Sequence, residues 1–165
     1  MSNAENLGNE LAAMGVTVRH KRESKLMRVI GFIWKRFNTD FWTTINGRTI
    51  WAPNDADLTR LEDYALIIQH ELVHIGQFRR WPIIGQLAFL LLPVPFFFAW
   101  FRWAMERRAY MVQLEAHGAP FGSGEYELER VVNTLWRNYG WCWPRPWMRR
   151  WFRRELTRSN RNRRS

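Results

Sequence analysis

Two histidines and a glutamate in the stretch QHELVHIGQF (69–78) have the residue types and the spacing of a catalytic metal site. His70 and His74 are four residues apart, and on an α-helix residues at this spacing lie one above the other. Both imidazoles can therefore bind one metal ion about 2 Å away. Glu71 can reach a water on that metal without itself being a ligand. HExxH thus supplies two zinc ligands and a general base, the alternative being a helix whose histidines are only hydrogen-bonded.

A catalytic zinc ion takes three protein ligands and keeps one position open for water. The downstream candidates for the third ligand are Glu106, Glu115 and His117. An apolar hairpin after the motif helix would bring Glu106 back beside that helix, whereas Glu115 and His117 lie two to three helical turns further on. We therefore predict that Glu106 is the third ligand. The alternative is an ion pair between Glu106 and a neighbouring arginine.

The apolar hairpin is predicted from residues 83–101, which contain 19 positions without a charge. This length would suit a transmembrane helix. Pro93 and Pro95, however, divide the segment into two legs of roughly ten residues, each about 15 Å long and too short to cross a bilayer. A hairpin therefore fits better than a span. The sequence favours packing in the protein core and leaves open a hairpin that dips into one leaflet.

Two segments before the motif predict β-strands. VTVRH (16–20) alternates between apolar and polar residues, as a short strand does. FWTTINGRTIWAP (41–53) predicts a hairpin, because Asn46-Gly47 stands between two runs rich in β-branched and aromatic residues.

The motif itself lies on a long helix that we expect from about Asp57 to Arg80, with Asp55 or Asp57 as its N-cap. Apolar residues occur on most sides of this helix, which is typical of a buried, central one. Helical spacing predicts further helices over residues 24–37, 96–116 and 123–138. Residues 1–165 are expected to form a single α+β domain in which 1–13 and 157–165 are disordered.

HELVH, the upstream hairpin and the glutamate of AMERRAYM together resemble the gluzincin metallopeptidases over about residues 41–116. The pattern is also similar to uncharacterised bacterial HExxH proteins with a second motif of the ERxAY type. The resemblance implies a zincin-like fold, in which a small β-sheet with an edge hairpin packs on the central HExxH helix and a helical hairpin and further helices follow. It also implies an edge strand that holds an extended peptide or protein substrate, and RTIWA (48–52) is our candidate for it.

The same resemblance implies that zinc is held by His70, His74 and Glu106. Glu71 then takes a proton from the zinc-bound water, which attacks the peptide carbonyl, and delivers that proton to the leaving amine.

The sequence departs from the thermolysin-like pattern four residues after Glu106, where Tyr110 stands in place of an aspartate. Asp63, seven residues before His70, could orient that histidine instead, or could be a surface acid. A donor that stabilises the oxyanion is not assigned by the pattern. The candidates for it are Tyr110, Tyr139 and His117.

The composition indicates a polyanionic partner. The net charge is +10, from 25 Lys+Arg and 15 Asp+Glu. NYGWCWPRPWMRRWFRREL (138–156) interleaves tryptophans with arginines, which suits an anionic membrane surface and, ranked lower, single-stranded nucleic acid. The plain alternative is that the tryptophans pack on the core and the arginines are solvated. A rival to the peptidase is therefore a basic, membrane- or nucleic-acid-binding module with a structural zinc site, closed by Glu115 or His117.

The single cysteine, Cys142, cannot form an intramolecular disulfide and is best interpreted as a packed small apolar residue. The N-terminal stretch MSNAENLGNELAAMG lacks the basic residues and apolar run of a signal peptide. We therefore expect a cytoplasmic protein, peripheral to the membrane if the basic tail binds lipid.

Overall fold

The computed structural model describes residues 3–33, 41–82, 97–117, 123–138 and 144–162. These residues form six α-helices and one three-stranded mixed sheet, which confirms the α+β class. The elements are α1 (Asn3–Ala13), β1 (Thr17–His20), α2 (Lys25–Ile33), β2 (Thr43–Asn46), β3 (Thr49–Ala52), α3 (Ala65–Arg80), α4 (Phe97–Ala116), α5 (Ser123–Asn138) and α6 (Arg145–Asn162).

The chain divides into two compact units, Met1–Pro82 and Ile83–Ser165. The first contains the sheet and α1 to α3, and the second contains α4 to α6. The expectation that the whole chain is one domain stays a prediction.

The sheet of the first unit has the strand order β1-β3-β2. β2 and β3 form the predicted antiparallel hairpin, with the turn at Gly47 and Arg48, one residue later than Asn46-Gly47. β1 pairs with β3 in parallel over four residues, from Thr17 opposite Thr49 to His20 opposite Ala52. The prediction that RTIWA (48–52) is an edge strand is therefore wrong. β3 is hydrogen-bonded on both sides, so it has no open edge for a peptide.

The prediction that residues 1–13 are disordered is also wrong, because α1 covers most of them. Gly15 ends this helix with a φ of 66°, the left-handed conformation that glycine adopts without a Cβ penalty. Its amide donates to Ala12 O and the Val16 amide donates to Leu11 O, the two bonds of a Schellman motif. Leu11 and Val16 then pack in one core cluster with Ile50. This apolar contact holds α1 against the sheet.

The motif helix α3 starts eight residues later than predicted, at Ala65 instead of about Asp57. Neither Asp55 nor Asp57 is its N-cap. Asp57 closes a local turn, accepting from the Thr59 amide at 3.0 Å and from the Thr59 hydroxyl at 2.6 Å, and these bonds lower its pKa. A carboxylate held in this way is not available to cap a helix. A 3₁₀ turn, Leu61–Tyr64, then leads into α3.

The C-terminal end of α3 is at Arg80, as predicted. Arg79 anchors this end, because its Nε donates to Gly47 O at 2.7 Å and its Nη2 donates to Met14 O at 2.8 Å. Ile68 and Ile75 of α3 are buried in the same core as α1 and β3. The helix is therefore fixed along one face and at its end.

The second unit is formed by α4, α5 and α6, which pack on one another. The predicted helices at 96–116 and 123–138 correspond to α4 and α5. The prediction of disorder at 157–165 is wrong up to Asn162, because α6 continues to that residue and buries Leu156. No helix within the described ranges has the length and apolar character needed to cross a membrane.

Several sequence predictions fall outside the described residues. They concern the apolar hairpin with Pro93 and Pro95, the C-terminal part of the predicted helix 24–37, and the side chains of Tyr139 and Cys142.

Candidate metal centre

The HExxH motif lies in the middle of α3, and its three functional side chains are all buried. The Nε2 atoms of His70 and His74 are 3.2 Å apart, with the rings in an edge arrangement at 71°. Two nitrogen ligands of one tetrahedral zinc ion, each at 2.0–2.1 Å, stand about 3.3 Å apart. The two histidines thus already have the separation that a shared metal ion requires.

Gln77 holds the ring of His74 in place. Its Oε1 accepts a hydrogen bond from His74 Nδ1 at 2.9 Å. In the neutral imidazole, a proton on Nδ1 leaves Nε2 with a lone pair, which is the form that binds a metal. A partner of this kind fixes both the tautomer and the orientation of a ligating histidine. Our sequence reasoning missed Gln77, although its position three residues after His74 on the same helix face was visible.

Glu71 carries a buried polar atom that the described residues leave unsatisfied. The residue is only 5% exposed, and Oε2 has no hydrogen-bond partner among them. A buried carboxylate oxygen without a partner costs free energy, so such atoms are found where a water, an ion or a substrate completes the arrangement. Its placement one residue from His70 fits a base that acts beside a metal.

Glu106 joins the two histidines in one group of possible ligands. The ligand atoms of His70, His74 and Glu106 all lie within 4.8 Å of one another, and Glu106 is 1% exposed. Among the described residues this is the one group of three or more His, Cys, Asp or Glu side chains with such a spacing. Glu115 and His117 are not part of it.

The structure does not bring Asp63 to the histidines. Asp63 lies in the 3₁₀ turn before α3, where its half-exposed carboxylate pairs with Arg60 at 2.9 Å. The prediction that it orients His70 is therefore wrong, and the surface-acid alternative is confirmed. The reason is that the helix begins at Ala65, so Asp63 does not continue its face.

Tyr110 is on α4, four residues after Glu106, and is partly buried. It packs against the core of the second unit together with Met111. Its role as oxyanion donor stays a prediction, as does that of His117, an exposed residue at the end of α4.

Comparison of the chain with protein-family models, with curated proteins and with solved structures gives no match. The case for a function therefore depends on the geometry of the buried histidines and glutamates.

Proposed function

We propose that this protein is a zinc-dependent peptidase with a gluzincin-like site and a zincin-like arrangement of sheet and motif helix. His70, His74 and Glu106 would hold the metal, and Glu71 would be the general base. The observation that carries the proposal is the buried His-His-Glu group, with a second buried glutamate next to its first histidine. Three protein ligands leave one position of a tetrahedral ion open, as in catalytic zinc sites.

The reaction follows from these positions. When bound, zinc supplies a Lewis acid that lowers the pKa of water toward about 7 and polarises a carbonyl oxygen. Glu71 accepts a proton from the attacking water at its buried carboxylate. The water oxygen forms a bond to the peptide carbonyl carbon, and Glu71 then donates the proton to the leaving amine nitrogen as the C–N bond breaks. Gln77 keeps His74 in the tautomer that the metal needs.

The edge strand β2 replaces RTIWA as our candidate for the substrate strand. β2 pairs with β3 along one edge and with no other strand of the described residues. It also packs against the motif helix α3 more extensively than β3 does. An extended peptide could therefore add to the sheet at β2 through backbone hydrogen bonds.

The test uses the purified full-length chain, with zinc measured by mass spectrometry and turnover measured on fluorescent casein. Glu71→Gln should keep one zinc ion per chain and lower kcat/KM by roughly 10²–10⁴-fold, because it removes the base and no ligand. Glu106→Gln should weaken zinc binding. Glu115→Gln is the matched control on the same helix, and it should change neither quantity.

Two results would contradict the proposal. Equal turnover by wild type and Glu71→Gln would exclude the water-activation role. Zinc that binds stoichiometrically, together with no turnover of any unstructured substrate, would favour the rival function of a binding module with a structural metal. Such a module needs a fourth protein ligand. Among the described residues, the group of possible metal ligands has three members.

A further inference from the structure

The C-terminal helix α6 uses its apolar face entirely for the core of the second unit. Met148, Phe152 and Leu156 follow one another at four-residue spacing and are at most 1% exposed. Trp151 packs edge-on against Trp103, with ring centroids 5.6 Å apart. The helix thus has no free apolar face that could insert into a bilayer, and the tryptophans of the tail are in part core residues.

Two arginines of α6 are held by acidic residues of α5. Arg149 forms a bidentate pair with Glu129, and Arg153 pairs with Glu125. Arg145 lies over an indole ring of α5 at 3.9 Å from the ring centroid. These cations contribute to the packing of the two helices and are not available to a partner.

Four other arginines of α6 are left for solvent. They are exposed, and none forms an ion pair with a described residue; they are Arg150, Arg154, Arg158 and Arg161. At 3.6 residues per turn they lie in an arc of about 80°, on the side of the helix opposite the core. Their spacing extends the row over about 16 Å at 1.5 Å per residue. We call this row the arginine stripe.

Two further features accompany the arginine stripe. The side chain of Trp147 is 63% exposed and projects within about 60° of all four arginines, one turn before the first of them. Toward the C-terminal end, Arg154, Arg158 and Arg161 line an open surface depression of about 410 Å³ together with Thr157 and with Arg153, which stays paired with Glu125. A depression lined by guanidinium groups and a threonine suits a phosphate group, since arginine donates to phosphate oxygens in a bidentate fork.

We propose that the arginine stripe docks this protein on an anionic phospholipid surface, with Trp147 at the headgroup level. Four long cationic side chains within an arc of about 80° can reach a flat surface together, and clusters of four or more basic residues on one helix face are a known means of binding acidic lipid headgroups. Tryptophan is enriched at the membrane interface. The docking is electrostatic, because the apolar face of α6 is buried. The proposal is independent of the metal site.

A lipid surface fits these features better than nucleic acid does. Binding of a single strand uses several aromatic side chains on which successive bases stack. The described face of α6 presents one exposed aromatic residue, Trp147, at one end of the stripe.

The experiment is co-sedimentation of the full-length protein with vesicles of phosphatidylcholine, with or without 30% phosphatidylglycerol (about one lipid in three, a strongly anionic surface). Wild type should bind only the anionic vesicles, with affinity that falls steeply as sodium chloride increases. Replacing all four arginines of the stripe by glutamine should weaken binding roughly a hundredfold or more. Replacing only Arg154 and Arg158 should give an intermediate loss.

The matched control removes the same number of charges from exposed positions of the first unit, by glutamine at Arg19, Arg22, Lys25 and Arg28. It should weaken binding far less than the stripe variant. Circular dichroism should show both variants folded, because every replaced side chain is exposed. Equal losses in the two variants, or a flat salt dependence, would overturn the proposal. So would binding of oligonucleotides through the stripe in the absence of vesicle binding.

Discussion

The amide oxygen of Gln77 lies 2.9 Å from Nδ1 of His74, and Nε2 of the same ring lies 3.2 Å from Nε2 of His70. One side of the His74 ring is thus held by a residue of its own helix while the other faces the second histidine. This relationship means that α3 alone brings two oriented imidazole rings together.

We expect Gln77→Ala to weaken zinc binding by about 10–100-fold, because the His74 ring loses the partner that fixes its tautomer. Gln77→Glu should restore binding, since a carboxylate accepts the same bond. Competition with a zinc-binding dye measures the affinity. Gln69→Ala, at an exposed position of α3, is the control and should bind zinc like wild type. An unchanged affinity in Gln77→Ala would show that the ring is held without this bond.

The Arg149–Glu129 pair predicts a pH dependence of stability. The hydrogen bond from Arg149 lowers the pKa of Glu129 below its ordinary value of 4.5. A lowered pKa means that the folded state favours the carboxylate, so the contribution is fully present above the unfolded pKa and is lost as the pH falls through the folded pKa. Both side chains are about one-third exposed, so the pair is worth at most about 1 kcal/mol.

We therefore expect Glu129→Gln to lower the free energy of unfolding by a similar amount at pH 7, and this difference from wild type to shrink below about pH 4.5. Urea titrations of both proteins between pH 7 and pH 3 provide the measurement. A difference that stays constant over this range would mean that the charge on Glu129 contributes nothing.

Phe152 is the best single probe of the core of the second unit. It is fully buried where α6 packs on α4, and its ring lies edge-on to that of Trp103, with ring centroids 5.5 Å apart. Phe152→Ala should lower the free energy of unfolding by about 3–5 kcal/mol through lost burial and the resulting cavity. Tyr126→Ala, at a side chain 73% exposed on α5, should cost far less. Thermal unfolding followed by circular dichroism distinguishes the two, and equal shifts would contradict the packing described for α6.

Gly47 is required because Arg79 lies too close to this position for any side chain. A Cβ on this residue would stand 2.7 Å from Arg79 Cγ and 3.3 Å from the Arg79 backbone nitrogen. Gly47→Ala should therefore destabilise the first unit by about 1–3 kcal/mol, as overpacking does. Gly76→Ala is the control, since nothing lies within 4 Å of its added methyl group and alanine favours the helix by about 1 kcal/mol. Denaturant unfolding should show the two variants shifting in opposite directions.

Local signals explain what could be predicted from the sequence. The hairpin, the helices around 96–116 and 123–138 and the end of α3 follow from turn residues and apolar spacing between near neighbours. HExxH predicts the two histidines and Glu71 as site residues for the same local reason, and their roles stay predictions. The choice of Glu106 depends on a chain reversal predicted within residues 83–101, most of which lie outside the described ranges. Of the site predictions it relies most on contacts between residues far apart in the sequence.

Non-local contacts explain the failures. The parallel pairing of β1 with β3 joins residues 32 positions apart, and nothing within RTIWA indicates that β1 will occupy its second edge. In the same way, the partners of Arg149 and Arg153 lie on α5, so the sequence of the tail alone could not separate structural arginines from those of the stripe. The N-terminal helix contradicts the disorder that its polar composition predicts, because Gly15 caps it and Leu11 packs against Ile50 of the sheet.

Arg79 joins three parts of the first unit that are far apart in the sequence, because its guanidinium group binds the turn after α1 and the hairpin turn from the end of the motif helix. Contacts of this kind couple local openings: when the N-terminal turn detaches, the end of the helix that carries the histidines loses one of the two hydrogen bonds that Arg79 donates. We therefore expect the amides of α1 and of the last turn of α3 to exchange hydrogen for deuterium together, with Arg79→Met separating them. Deleting the first 15 residues should then speed hydrogen exchange in the last turn of α3, although no removed residue belongs to the HExxH motif.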